Sequence, residues 1–160
     1  MSAAENPGLR SFVLLQVGSR RFALPAGSVT ELAPPVRLHT FPHNSPLVAG
    51  VIVRRGRIVP VYDAAPILMG RESPIHRFYL IAERDFGGAS EPSAIPVNGE
   101  CELVASDVWP SASDDPAYVC GKLEVESEQI PVLNLELLLA MPPVPESGAV
   151  LPSAGAQVPL

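Results

Sequence analysis

A chain of 160 residues, 47% of them hydrophobic, holds one compact domain or two small halves sharing a core; halves standing alone would bury too little surface. A net charge of −6 with only 6% aromatic residues argues against the basic, aromatic-studded surface usual in a nucleic-acid binder, and no apolar run reaches the roughly 18 residues that span a membrane. Nineteen prolines leave little room for long helices, and short β-branched runs between Pro and Gly predict an all-β sandwich or barrel.

Along the chain, residues 1–9 read as a flexible start, with no apolar stretch of signal-peptide length. "RSFVLLQVGSRRFALP" is an apolar run, a Gly-Ser-Arg turn and a second run, which is a hairpin. "SVTEL" follows as a strand, and "RLHTFPHNSP" as a loop carrying His39 and His43. Those two are four apart, but Pro42 and Pro46 deny them a helix, and no third metal ligand is in view. "GVIVRRGRIVPVYD" is a second hairpin turning at Arg55–Gly56, with Gly56 free to take positive φ. His76 stands alone before "RFYLIAERDFGGASEPSAIPV", a hairpin with a longer tip loosened by Gly87 and Gly88. Trp109, the only tryptophan, is expected as a core plug or a contact on the acidic half, with its size favouring the core. Asp114–Asp115 reads as a turn into Pro116. "AYVCGKLEVESEQIPVLNL" is a last hairpin, Asn134 caps a short helix "LELLLAM", and residues 141–160 form a Pro-rich flexible tail. Pro60 and Pro131 lie inside apolar runs, so their strands are expected at sheet edges or at bulges.

The halves echo each other. Phe22–Ala33 aligns with Ser93–Val104 at an offset of 93 − 22 = 71, and Gly50–Leu68 aligns with Gly121–Leu139 at the same offset, 121 − 50 = 71. Their charges differ. Residues 1–84 carry ten arginines against five acids, and residues 85–160 carry one lysine against twelve, so the same hairpin bears Arg-Arg-Gly-Arg in one half and Glu-Ser-Glu in the other. Such lopsidedness suits docking to a charged protein partner. No phosphate loop, nucleophile elbow or catalytic cluster occurs. Cys101 and Cys120 are too far apart for a metal or redox motif and are expected as buried free thiols.

"FVLLQVGSRRFALPAGSVTEL", "PLVAGVIVRRGRIVPVYDAAPIL" and "YVCGKLEVESEQIPVLNLELLL" together resemble the CheW-like chemotaxis coupling domain over about residues 10–140. Gly50, Arg55, Gly56, Ile58, Val59, Pro60, Val61 and Asp63 fit its central signature position by position; Gly121 and Pro131 are the repeat's counterparts of Gly50 and Pro60. The resemblance implies two small five-stranded SH3-like β-barrels sharing a core, about residues 10–70 and 75–140, with elements free to cross over, and a short C-terminal helix. It also implies a non-catalytic adaptor without cofactor or metal. Such an adaptor couples the cytoplasmic tips of chemoreceptors to the regulatory domain of a chemotaxis histidine kinase, is cytoplasmic, is a monomer alone and assembles in membrane-peripheral arrays.

By the same resemblance, Glu31 with Val29 and Leu32 are candidates for kinase binding, and Arg55 with Arg54, Gly56 and Arg57 for receptor binding. Val53 and Arg54 replace the family's Asn-Leu before Arg-Gly, Asn98 stands where Asp is usual, and Asn134 replaces the final Asp. These departures keep open a divergent scaffold or regulator of a pilus-type or other nonflagellar pathway that binds kinase but not receptor. A small barrel binding a ligand or nucleic acid is the distant third reading.

Overall fold

The computed structural model describes residues 9–42, 47–70, 78–86 and 88–140, so residues 1–8, His43, His76 and the 141–160 tail lie outside the described residues. The strands are β1 Arg10–Val17, β2 Arg20–Pro25, β3 Val29–Ala33, β4 Val48–Arg54, β5 Arg57–Tyr62, β6 Phe78–Phe86, β7 Ala89–Val97, β8 Glu102–Ser106, β9 Val119–Val125 and β10 Glu128–Leu133. Two short helices, α1 Ala65–Met69 and α2 Leu135–Ala140, follow β5 and β10.

The strands form two five-stranded sheets, in the orders β8-β1-β2-β10-β9 and β3-β6-β7-β5-β4. The all-β reading and its repeat hold. Moving β2–β5 on by one repeat gives β7–β10 and turns the second sheet order into the first. Even the lone parallel links match: Val61 pairs with Ala94 and Val132 with Ala23. The longer tip expected for the β6–β7 hairpin is not there: Phe86 pairs with Ala89 across two residues, as Val17 pairs with Arg20 in β1–β2, and it is the strands that are longer, nine residues each against eight and six.

The sheets do not follow a division of the chain near residue 70. The hairpin β1–β2 joins β8, β9 and β10 from the second half, while β6–β7 joins β3, β4 and β5 from the first. Each sheet wraps a small core of equivalent side chains: Phe12, Leu14, Leu123 and Ile130 in one, Tyr79, Ile81, Ile52 and Val59 in the other. Alternate residues of the exchanged hairpins, such as Leu15, Phe22, Leu80 and Ile95, face the opposite way into a third core, which the helices close with Leu68, Leu135 and Leu138. Strands buried on both faces carry near-continuous apolar runs, and β1 and β6 do. Exchange makes the halves inseparable, because each hairpin supplies both its barrel's interior and the layer between barrels.

The prolines correct an expectation. Pro60 and Pro131 sit in β5 and β10, which are second from the edge rather than at it, while both hairpins do carry a register shift, between Val48 and Gly50 and between Val132 and Leu133, away from the prolines themselves. Val51 and Lys122, their partners on β4 and β9, spend their backbone groups outward on His39 and Trp109. Antiparallel pairs alternate between bonded and non-bonded, so both prolines occupy non-bonded sites of their hairpins and no bond to β4 or β9 is lost. The cysteines are free thiols, but Cys120 is exposed rather than buried, and Cys101 is half-buried with its thiol pushed up to about 11 by burial. Among the described residues, no helix is long and apolar enough to cross a membrane.

Candidate partner-binding surface

The β4–β5 hairpin turns over Arg55 and Gly56, both at positive φ (54° and 77°). Positive φ at both central residues marks a type I′ turn, whose twist matches that of the strands it joins. A two-residue loop holds its flanking residues firmly, and Arg54 pairs directly with Arg57. Gly50 lets the chain pass closely here: a Cβ on it would lie 2.5 Å from the His39 carbonyl oxygen. Val61 is buried in the barrel, and Asp63 Oδ1 accepts a bond from the Ala65 N–H at the start of α1 (3.1 Å). Gly50, Val61 and Asp63 thus anchor the hairpin, while the arginines face outward.

Glu31 belongs to β3, at the opposite edge of the same sheet from β4. Curling of the sheet brings the edges together, and Glu31 bridges them. Arg54 donates to it from Nε (3.1 Å) and Nη2 (3.1 Å), and Arg55 does so from Nε (3.3 Å) and Nη2 (3.2 Å). Two planar forks on one carboxylate fix its direction as well as its charge. Hydrogen bonds from Arg54, then Arg55, hold the Glu31 carboxyl below its ordinary range against the opposing pull of burial. Side-chain exposure grades the cluster from 16% for Glu31 through 25% for Arg54 to 73% for Arg55. Arg54 therefore locks the seam, and Arg55 presents its guanidinium to solvent.

On the outer face of the hairpin Val53 and Ile58 pair across the strands, 54% and 69% exposed. An exposed apolar pair between arginines is a contact surface rather than a solvated tip. Of the residues grouped with Glu31, Val29 and Leu32 are half-buried and pack against the core between barrels. Thus the structure joins Glu31 to the arginines and sets Val29 and Leu32 apart from them. The Glu31–Arg54 bond was not legible in the sequence, since nothing local links residues 23 positions apart; the opposite charges on two edge strands were the only signal.

The β9–β10 hairpin repeats this geometry with the charges reversed. Glu126 and Ser127 hold the positive φ values (52° and 70°), and Gly121, like Gly50, is closely approached, with Val108 Cγ1 2.7 Å from where a Cβ would stand. Glu102 occupies the place of Glu31, but Val125 and Glu126 occupy those of Arg54 and Arg55, so its seam has no arginine of its own. Arg21 of β2 reaches Glu102 at 3.7 Å while bonding Glu128 at 2.8 Å. Trp109 corrects another expectation: it is 49% exposed, not a core plug. Its backbone exchanges two bonds with Lys122 (2.8 and 2.9 Å) and Pro110 ends the pairing there, which leaves the indole outside the barrel.

The CheW-like domain family model matches residues 11–97. No curated protein matches the chain. Among solved structures, the scaffolding protein TtCheW from Thermoanaerobacter tengcongensis superposes with a TM-score of 0.70 at 20% identity, over 82% of this chain and 88% of that one. At that identity the likeness speaks for the fold.

Proposed function

The chain belongs to the CheW-like domain family, whose members are non-catalytic scaffolds, and from that premise we propose that it couples chemoreceptor tips to a chemotaxis histidine kinase in the cytoplasm. The observation that carries this reading is the Glu31–Arg54–Arg55 cluster beside the exposed Val53–Ile58 pair. An arginine on a rigid turn, oriented by a carboxylate yet open to solvent, offers its remaining donors to carbonyls or carboxylates of a partner helix. The apolar pair beside it supplies area to exclude water. Because Glu31 orients both arginines, kinase and receptor contacts are coupled: a change at Glu31 alters the hairpin as well as its own strand.

The test is a calorimetric titration of the protein into the kinase regulatory domain, and separately into a receptor tip fragment, with Arg55→Ala and Glu31→Ala alongside. Binding to both partners is expected. Arg55→Ala should weaken receptor binding about tenfold, the loss of one charge-assisted contact, and leave the kinase nearly untouched. No binding to either partner by the folded protein sinks the coupling role. Kinase binding without receptor binding favours the kinase-only scaffold, for which the replacement of Asn-Leu by Val53–Arg54 is the structural ground.

A further inference from the structure

We propose that the acidic barrel carries a second docking site, a slot beside Trp109 at the open edge of β9, which takes a short extended segment of a partner protein bearing arginine. The slot, about 240 Å³, is lined by Trp109, Pro110, Ala112, Lys122, Glu124 and Gln129. Three observations converge on it.

The first is an unfilled edge. β9 ends its sheet, and Trp109 pairs with it only at Lys122. Since Lys122 bonds outward, the alternation of the antiparallel ladder turns the N–H and C=O of Glu124, two residues on, outward as well. Pro110 has no N–H to offer, and the chain bends away through the turn in which Ala112 donates to Asp115 (2.7 Å). An unpaired donor and acceptor on an edge strand is where an added strand attaches.

The second is the half-exposed indole beside that edge, a flat face for a guanidinium. The third is charge. The only cation lining the slot, Lys122, is held by Asp115 at 3.2 Å, while Glu124 lines it with an exposed side chain; Glu126 is exposed at the hairpin tip, and Glu128 is bonded to Arg21. In the sister barrel the corresponding seam is closed by Arg54 and Arg55 on Glu31; here Arg21 answers Glu102 and Glu128, and Glu124, in no ion pair among the described residues, is left for an arginine from outside.

Trp109 is the chain's only tryptophan, so its emission reports directly on the slot. The probe is a capped hexapeptide, Thr-Val-Arg-Val-Arg-Thr, with a counterpart carrying Gln for both Arg. The expected result is a saturable shift in emission with the arginine peptide, at least tenfold weaker binding of the glutamine peptide, and weakening by added salt. Glu124→Lys should lower affinity at least tenfold and Glu124→Gln about fivefold; Glu124 is exposed, so both variants keep the fold. Equal affinity for the two peptides, or an emission that does not respond, overturns the proposal. So does a sedimentation mass that rises with protein concentration and falls back with Glu124→Lys, because the slot's occupant is then a second copy of this chain.

Discussion

The two hairpins β4–β5 and β9–β10 share length, turn type, a proline at the same site and a glycine at the same close approach, yet one tip is basic and the other acidic. What they hold in common is what the backbone needs; what differs is what partners read. In the basic hairpin the sheet edges are tied by a carboxylate between two guanidiniums. In the acidic one the edge stays open beside Trp109. A duplicated barrel thus offers one tip whose arginines are oriented by a shared carboxylate, and another whose acids are only partly answered, Glu102 and Glu128 by Arg21 and Asp115 by Lys122.

The largest effect separating them is steric. At Gly50 the obstacle is the backbone carbonyl of His39, 2.5 Å from a Cβ, with Leu38 Cδ1 at 3.0 Å. At Gly121 it is mainly a methyl of Val108 at 2.7 Å, and the Trp109 oxygen stands back at 3.2 Å. A side chain can rotate away, but a carbonyl bonded to Val51 cannot. Gly50→Ala is expected to cost about 3 kcal/mol and Gly121→Ala about 1–2 kcal/mol, read by chemical denaturation. Equal costs would mean that the bridging segments yield alike in both barrels.

These glycines show what the sequence makes legible. Turns, strand lengths and the 71-residue repeat are written in local residue types, so the hairpins are legible in the sequence. The exchange of hairpins between sheets is not, because pairing β1 with β8 across more than 80 residues leaves no local periodicity. The same gap hid the tolerance of Pro60 and Pro131, which depends on which face of the strand His39 and Trp109 occupy. Trp109 looked like core because its size argues for burial, and only the single bridge cut short by Pro110 puts it outside.

The next effect is electrostatic and depends on pH. Glu31→Gln should cost about 1.5 kcal/mol near neutral pH, since it weakens two charge-assisted forks at a largely buried carboxylate. Glu102→Gln should change stability by less than about 0.5 kcal/mol, because its carboxylate is 64% exposed and its arginine 3.7 Å away. The folded-state pKa of Glu31 lies below its ordinary 4.5, so its contribution is complete above that value and is lost as pH falls through the lowered one. The stability gap between wild type and Glu31→Gln is therefore expected to hold from neutral pH down to about 4.5 and to close in stronger acid. A gap that persists unchanged in strong acid would assign the loss to packing instead of charge.

The smallest effect lies in the turns themselves. Type I′ geometry asks for positive φ at both central residues, and the basic hairpin meets it with one glycine, the acidic hairpin with none. A left-handed L-residue costs roughly 1 kcal/mol or more, part of which glycine returns through its greater freedom when unfolded. Ser127→Gly is accordingly expected to stabilise the protein by about 0.5 kcal/mol, and Gly56→Ser to destabilise it by a similar amount. Ser127 is exposed and lines neither the Trp109 slot nor the Glu31 cluster, so Ser127→Gly should leave affinity for the arginine peptide unchanged. If affinity instead falls with the gain in stability, the strained Glu-Ser turn is itself aiming the acidic tip, and the two hairpins differ in backbone tension as well as in charge.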